Sequence, residues 1–303
     1  MSVITTGSHP KSLWPGVKKF FGKTYDEKPL VCEMVFDAVT SSKAYEEYVE
    51  ETGFGLAPVK PEGQGISYDT DAQGYTSRIT NTTYALGAKI TQEAIEDNQY
   101  ERGARKKSAK LARSMRQTKE NVFANVINRG FNAAYAGGDG VALFSASHPT
   151  LSGNQSNIAA VAADLSEASL EDLLTQIRGA ADSRGLRIQL KGQKLIVPAE
   201  QEFEATRILS STNQSGTANN DVNAMKTLGM LPGGIVVWDY LTDVDAFFVK
   251  TDAEDGLIRQ QRRALSLSQD NDFDTSNACM KADERYAGGW ADWRGVFANA
   301  GST

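Results

Sequence analysis

Histidine and cysteine are nearly absent from this 303-residue chain, which holds only His9 and His148, Cys32 and Cys279. Two thiols so far apart make no disulfide framework and no zinc ribbon, and two scattered histidines supply no metal-ligand spacing. Reduced thiols in a cytoplasmic protein are the expectation. No apolar run approaches the roughly 18 residues of a membrane span. Met1 to Thr24 lacks the apolar centre of a secretory signal, so a soluble protein made in the cytoplasm is expected. Positive charge is in deficit: 32 Lys and Arg stand against 38 Asp and Glu, for a net charge of -6. Proteins whose main task is gripping nucleic acid are usually basic. This chain could enclose DNA but should not adhere to it strongly.

The rest of the composition is ordinary, with 40% hydrophobic and 23% charged residues, and 27 glycines imply many turns. The length suits one large or two ordinary domains. Residues 1–30 read as an irregular arm, punctuated by Trp14-Pro15-Gly16 and Lys28-Pro29 and carrying Phe20, Phe21 and Tyr25. Residues 41–52 read as a helix capped by serine and ended by Gly53. Ile66–Thr70 and Tyr75–Thr80, joined by Asp71-Ala72-Gln73-Gly74, read as a β-hairpin. Both strands are too polar to own a buried face, and a lone hairpin is marginal in water.

Thr91–Asn98 starts a helical region. A long helix is expected from Ala104 to Tyr135, with Leu111, Met115, Val122, Val126 and Ala133 near helical spacing, widened by Phe123, Ile127 and Phe131. The second half alternates elements. A helix is expected over Asp164–Ser183, a strand over Lys194–Val197 and a helix over Ala199–Leu209. Strands follow over Ile235–Trp238, Ala246–Val249, 257–268 and 278–287, with Asp270–Asn277 as a loop.

The chemical motifs are weak. Gly22-Lys23-Thr24 resembles the end of a P-loop, but Gly16 is one position too far away and no strand precedes it. Asp270, Asp272 and Asp274 imitate a calcium loop, yet Thr275 stands for the required glycine and Lys281 for the required glutamate. His148 follows Ser145 and Ser147 outside any nucleophile elbow, so a structural histidine is the better reading. A basic run (Arg102, Arg105, Lys106, Lys107, Lys110, Arg113, Arg116, Lys119) faces only Glu101 and Glu120. It reads as a solvated helix face, or as a surface for an acidic neighbouring subunit or packaged DNA. No catalytic constellation, cofactor site or metal site emerges. What remains is an arm, an unsupported hairpin and an over-long helix, each poorly satisfied within one subunit.

Six stretches carry a resemblance: LWPGVKKFFGKTYDE (13–27), TGFGLAPVKPEGQGISYDTDAQGYTSRI (52–79), SMRQTKENVFANVINRGF (114–131), LFSASHP (143–149), LIVPAEQEFEATRIL (195–209) and DNDFDTSNACMKADERYAGGWADWRGVF (270–297). In this order they resemble the major capsid proteins of tailed bacteriophages, especially the Mu-like major head subunit family. The resemblance implies an α+β fold of the Hong Kong 97 type. Residues 1–50 would be an N-terminal arm and 51–90 the E-loop hairpin. Residues 91–154 would be the peripheral domain with its long spine helix, 155–250 the axial domain, and 251–303 the returning peripheral β-sheet.

The resemblance further implies a virion shell protein and no enzyme, assembled in the host bacterial cytoplasm into pentamers and hexamers around double-stranded DNA, without sequence-specific binding and without a membrane. Expected partners are other copies, a separate scaffolding protein, a portal protein and a decoration protein. Expected inter-subunit contacts are Tyr68, Tyr75, Arg78 and Ile79 in the E-loop, Trp14, Phe20 and Phe21 in the arm, and Arg105, Lys106 and Arg113 as charge contacts. Lys60 and Lys89 flank the hairpin, but no covalent cross-link is assigned. The alternatives are an encapsulin-like compartment of the same fold and a serine hydrolase using Ser147 and His148.

Overall fold

Proline tolerates the first turn of a helix, where its missing N–H has no partner to lose. In a computed structural model, which describes residues 14–91, 100–213, 222–271 and 277–302 (side chains of 14–17, 20, 100–105 and 271 excepted), Trp14–Tyr25 forms helix α1. The expected irregularity over 1–30 is corrected here. Phe21 and Tyr25 lie one turn apart and both pack inward. A short helix α2 (Val31–Val35) and strand β1 (Asp37–Thr40) follow.

The helix expected over 41–52 is also corrected, because Tyr45–Glu51 is strand β2. Its residues alternate: Glu46, Tyr48 and Glu50 are half-buried, while Tyr45, Glu47, Val49 and Glu51 are exposed. That period of two suits a half-covered strand, and strand pairing overrides the helix propensity of glutamate. The partner of β2 is β3 (Gln73–Thr80), antiparallel, with Glu47 opposite Arg78. The hairpin therefore closes between 45–51 and 73–80, while Ile66–Thr70 belongs to the connection. Strand β4 (Thr82–Ile90) comes next.

Tyr100–Asn128 forms α3, 29 residues and so about 43 Å long. Residues 92–98 of the expected first helical piece lie outside the described residues. The buried side of α3 includes Ser108, Leu111, Ala112, Met115, Lys119, Phe123 and Ile127, one stripe at helical spacing. The helix stops short of the expected Tyr135. At Gly130 a Cβ would run into the Phe144 ring and come within 2.9 Å of the Ile127 carbonyl. Ala133–Tyr135 is a separate 3-10 turn capped by Asn132.

The second half follows the expected pattern closely. Short strands β5 (His148–Thr150) and β6 (Gly153–Gln155) pair with each other. Helix α4 (Glu167–Gly179) starts at a capping box in which Ser166 and Ser169 satisfy each other's backbone N–H, and it buries Leu170, Leu173, Leu174 and Ile177. Then come β7 (Gly192–Val197), α5 (Glu202–Ser210), α6 (Ala224–Leu228), β8 (Ile235–Val237), β9 (Phe247–Thr251), β10 (Leu257–Asn271), β11 (Ala278–Trp290) and β12 (Val296–Asn299).

These strands make two four-stranded sheets, ordered β1-β10-β11-β4 and β12-β9-β7-β8. The N-terminal half of α3 packs with α1 over the first sheet, where Phe21, Leu111, Met115, Ile90 and Met280 share a core. Its C-terminal half enters the main core with Phe123, Ile127, Trp238, Phe247 and Phe297. One helix thus bridges both sheets.

Cys32 is fully buried in that core, and burial, reinforced by Glu120, pushes its thiol up to about 12. Cys279 is only half-buried. An aromatic disulfide reagent at pH 8 should therefore titrate Cys279 alone in the native protein, and both thiols in denaturant. Fast labelling of Cys32 in a folded Cys279→Ser variant would contradict this packing.

Candidate assembly surfaces

The loop hairpin is anchored where β3 meets β11. Ile79 is buried among Ile258, Ala287 and Ala291. Gly289 lies beneath it, since a Cβ there would come within 2.9 Å of the Ile79 side chain. On the outer side Arg78 donates twice to Glu47 Oε1, at 2.8 and 2.6 Å, and its guanidinium covers the Tyr45 ring. Tyr75 is half-buried at this base. Burial, with Asp292 and Glu50 nearby, raises its hydroxyl well above the usual phenol range.

Beyond the base the chain has few attachments. Asp71 accepts from the Gly53 N–H at 2.8 Å and the Thr52 hydroxyl at 3.1 Å. Asp69 accepts from the Gly55 N–H and from Arg184, each at 2.8 Å. These contacts hold the Asp69 carboxyl below the usual carboxylate range, the backbone donors Gly55 and Thr70 leading. Past them, Phe54, Leu56, Val59, Ile66 and Tyr68 are 62%, 82%, 94%, 62% and 87% exposed. An apolar stretch so uncovered is a candidate interaction surface. Of the expected contact residues, Tyr68 sits on this tip, Tyr75, Arg78 and Ile79 build the base, and Phe54, Leu56, Val59 and Ile66 went unread. Their only sequence signal is apolar character without period, between prolines and glycines.

In the arm, Phe21 is buried against the subunit's own α3. The side chains of Trp14, Phe20 and Arg105 lie outside the described residues. Lys106 is exposed, and Arg113, also exposed, stands 3.9 Å from Glu27. Arg116 differs: its guanidinium donates to the carbonyls of Tyr25 (3.2 Å), Pro29 (2.6 Å) and Lys28, locking the end of α1 to α3.

His148 is a structural centre. Its side chain and that of Asp139 are both fully buried, with Nδ1 2.6 Å from Asp139 Oδ2. Nε2 lies 3.1 Å from Asn157 Oδ1. The Asn157 amide nitrogen donates to the carbonyls of Leu143, Trp293 and Val296, so Oδ1 must accept. Both imidazole nitrogens are therefore occupied by hydrogen-bond partners, and the ring stacks on Trp293 at 4.3 Å. Ser147 Oγ instead accepts from Asn154 at 2.7 Å. No ring nitrogen is left to activate that serine, which removes the geometric basis of the hydrolase alternative. Among the described residues no group of three or more His, Cys, Asp or Glu could hold a metal, and no helix is long and apolar enough to cross a membrane. Asp272, Asp274 and Thr275 lie outside the described residues.

A long helix bridging two sheets, with a projecting apolar loop, is the Hong Kong 97-type capsid fold of an α+β shell protein. Three solved particles have it. The capsid of an empty GTA particle aligns over 88% of this chain and 88% of its own, at TM-score 0.56 and 10% identity. A virus-like particle from Pyrococcus furiosus aligns over 94% and 98%, at 0.54 and 9%. Mycobacterium phage Patience aligns over 97% and 88%, at 0.53 and 12%. No curated protein matches the sequence. The profile of the phage capsid protein family matches residues 74–299, and the chain belongs to that family.

The buried Asp139–His148 pair gives a direct check. His148→Ala leaves the buried Asp139 side chain without its partner, which should cost about 3–5 kcal/mol. A urea denaturation midpoint equal to that of the wild type would contradict the assignment.

Proposed function

We propose that the protein self-assembles into the pentamers and hexamers of an icosahedral shell that encloses double-stranded DNA in a phage virion, and that it has no catalytic role. The observation that carries this reading is the uncovered apolar loop tip. Full burial of five such side chains against a neighbour is worth about 1.5–3 kcal/mol each before the costs of association. A tip on one subunit meeting a body surface on the next is a heterologous contact, which closes into rings when the rotation permits. The 51–90 segment and the N-terminal arm are the proposed reaching parts, with 91–154 and 251–303 as the peripheral domain and 155–250 as the axial domain.

Family membership supports a phage shell over an encapsulin-like cargo compartment of the same fold. A separate scaffolding protein, a portal protein, a decoration protein and assembly in the host bacterial cytoplasm complete the proposal.

Leu56, Val59 and Tyr68 touch solvent in the subunit, so replacing all three with Asp should leave its thermal melt nearly unchanged. The triple variant should yield folded subunits and no shells by negative-stain microscopy. Normal shells from it would overturn the role given to the tip.

A further inference from the structure

The subunit's charge is strongly segregated. Residues 14–25 and 100–116 hold ten Lys and Arg against one Glu, a local charge of +9 in a chain of net -6, leaving -15 for everything else. The fold brings these two segments together. Phe21 of α1 shares a core with Leu111 and Met115 of α3. Arg116 fastens the last turn of α1 to the same helix. The two helices therefore run side by side in the same direction, and the exposed cations described on both line this helix pair as a basic ridge.

Lys106, Lys110 and Arg113 follow at helical spacing along α3, and Lys18, Lys19 and Lys23 sit on α1, all of them exposed. Among the described residues Arg113 alone of these six has an ion pair, the long one to Glu27. Among the described residues the other five thus have no ion pair, and their like charges repel one another.

We infer that this ridge is the face of the subunit that lies against the enclosed double-stranded DNA, holding it by its phosphates. The inference rests on the proposed DNA-filled shell. The 17 residues of α3 from 100 to 116 span about 25 Å. A parallel length of duplex carries about 15 phosphates, at one charge per about 1.7 Å.

The composition of the ridge separates DNA from an acidic protein. Protein interfaces concentrate aromatic residues at their centre and deplete lysine. The exposed large apolar side chains described in this chain all lie outside α1 and α3 up to Asn128. A surface of lysines with no exposed apolar anchor among its described side chains suits a backbone polyanion read without sequence.

The test uses the full chain kept below its assembly concentration, with a mixed-sequence DNA duplex of about 30 base pairs as probe and fluorescence anisotropy as readout. Wild type should bind with an affinity that falls steeply between 50 and 200 mM salt. The variant Lys18→Glu, Lys19→Glu, Lys106→Glu, Lys110→Glu should lose at least about tenfold in affinity and show a flatter salt slope. A control reversing Lys43, Lys60, Lys191 and Lys281 to Glu has the same net charge and should stay within about twofold of wild type. Circular dichroism confirms that both variants are folded. Affinity retained by the ridge variant, or lost equally by the control, overturns the inference. Shell formation by the same preparations, read by microscopy, reports separately on the assembly proposal. Shells lost by the ridge variant while duplex affinity is retained would assign the ridge to an acidic protein partner instead.

Discussion

Two opposite charges, adjacent in sequence and buried against different elements, hold this subunit together. Lys119 turns toward the first sheet and meets Glu284 at 2.7 Å, where Gln261 and the Tyr25 hydroxyl also donate. Glu120 instead accepts from the N–H groups of Val31 and Cys32 and from the Trp238 indole. Burial raises the Glu120 carboxyl despite these three donors. Through this one turn of α3, helix α1, helix α2, strands β10 and β11, and the chain just after β8 are tied to a common point. Apolar packing would hold the same elements, but it is indifferent to small slips. A buried charge left without its partner costs about 3–5 kcal/mol, so this turn admits one register.

The body and the loop tip obey different rules. In the body, polar side chains such as His148, Asp139 and Asn157 find their partners within the subunit. The tip keeps apolar groups in water and is stitched only near its base, through Asp69, Asp71 and Arg184. Residues 56–68 gain nothing from the subunit's own core, and in the proposed assembly a neighbour would cover their apolar side chains.

Where a local pattern determined structure, the sequence was legible. The buried strands β7 to β9, the long β10–β11 hairpin and the capped helix α4 all carry apolar runs, alternation or end signals within their own residues. Helix α1 was hidden because Pro15 and Gly16 look like breakers, although both lie in its first turn. Strand β2 was hidden because Glu and Tyr suit a helix until β3 pairs with them. Lys119 and Glu120 read as members of a solvated charged row, since nothing local says that their partners arrive from residues 31, 238 and 284. Of the expected contacts, Tyr68 was read as facing outward, and it is exposed. Ile79 and Phe21 read as outward contacts because burial by distant strands leaves no local trace.

Strand β11 places two bare glycines in succession, Gly288 beneath the Phe123 ring of α3 and Gly289 beneath Ile79 of β3. Successive residues of a strand point to opposite faces, so the long helix and the loop base press on the two sides of the same backbone ribbon. Side chains between them would act as springs, taking up displacement by changing rotamer. Here a single peptide thickness separates them, and close-packed interiors transmit strain instead of absorbing it. A load applied at the loop therefore reaches the helix as a rigid push, and the subunit behaves mechanically as a lever rather than a cushion.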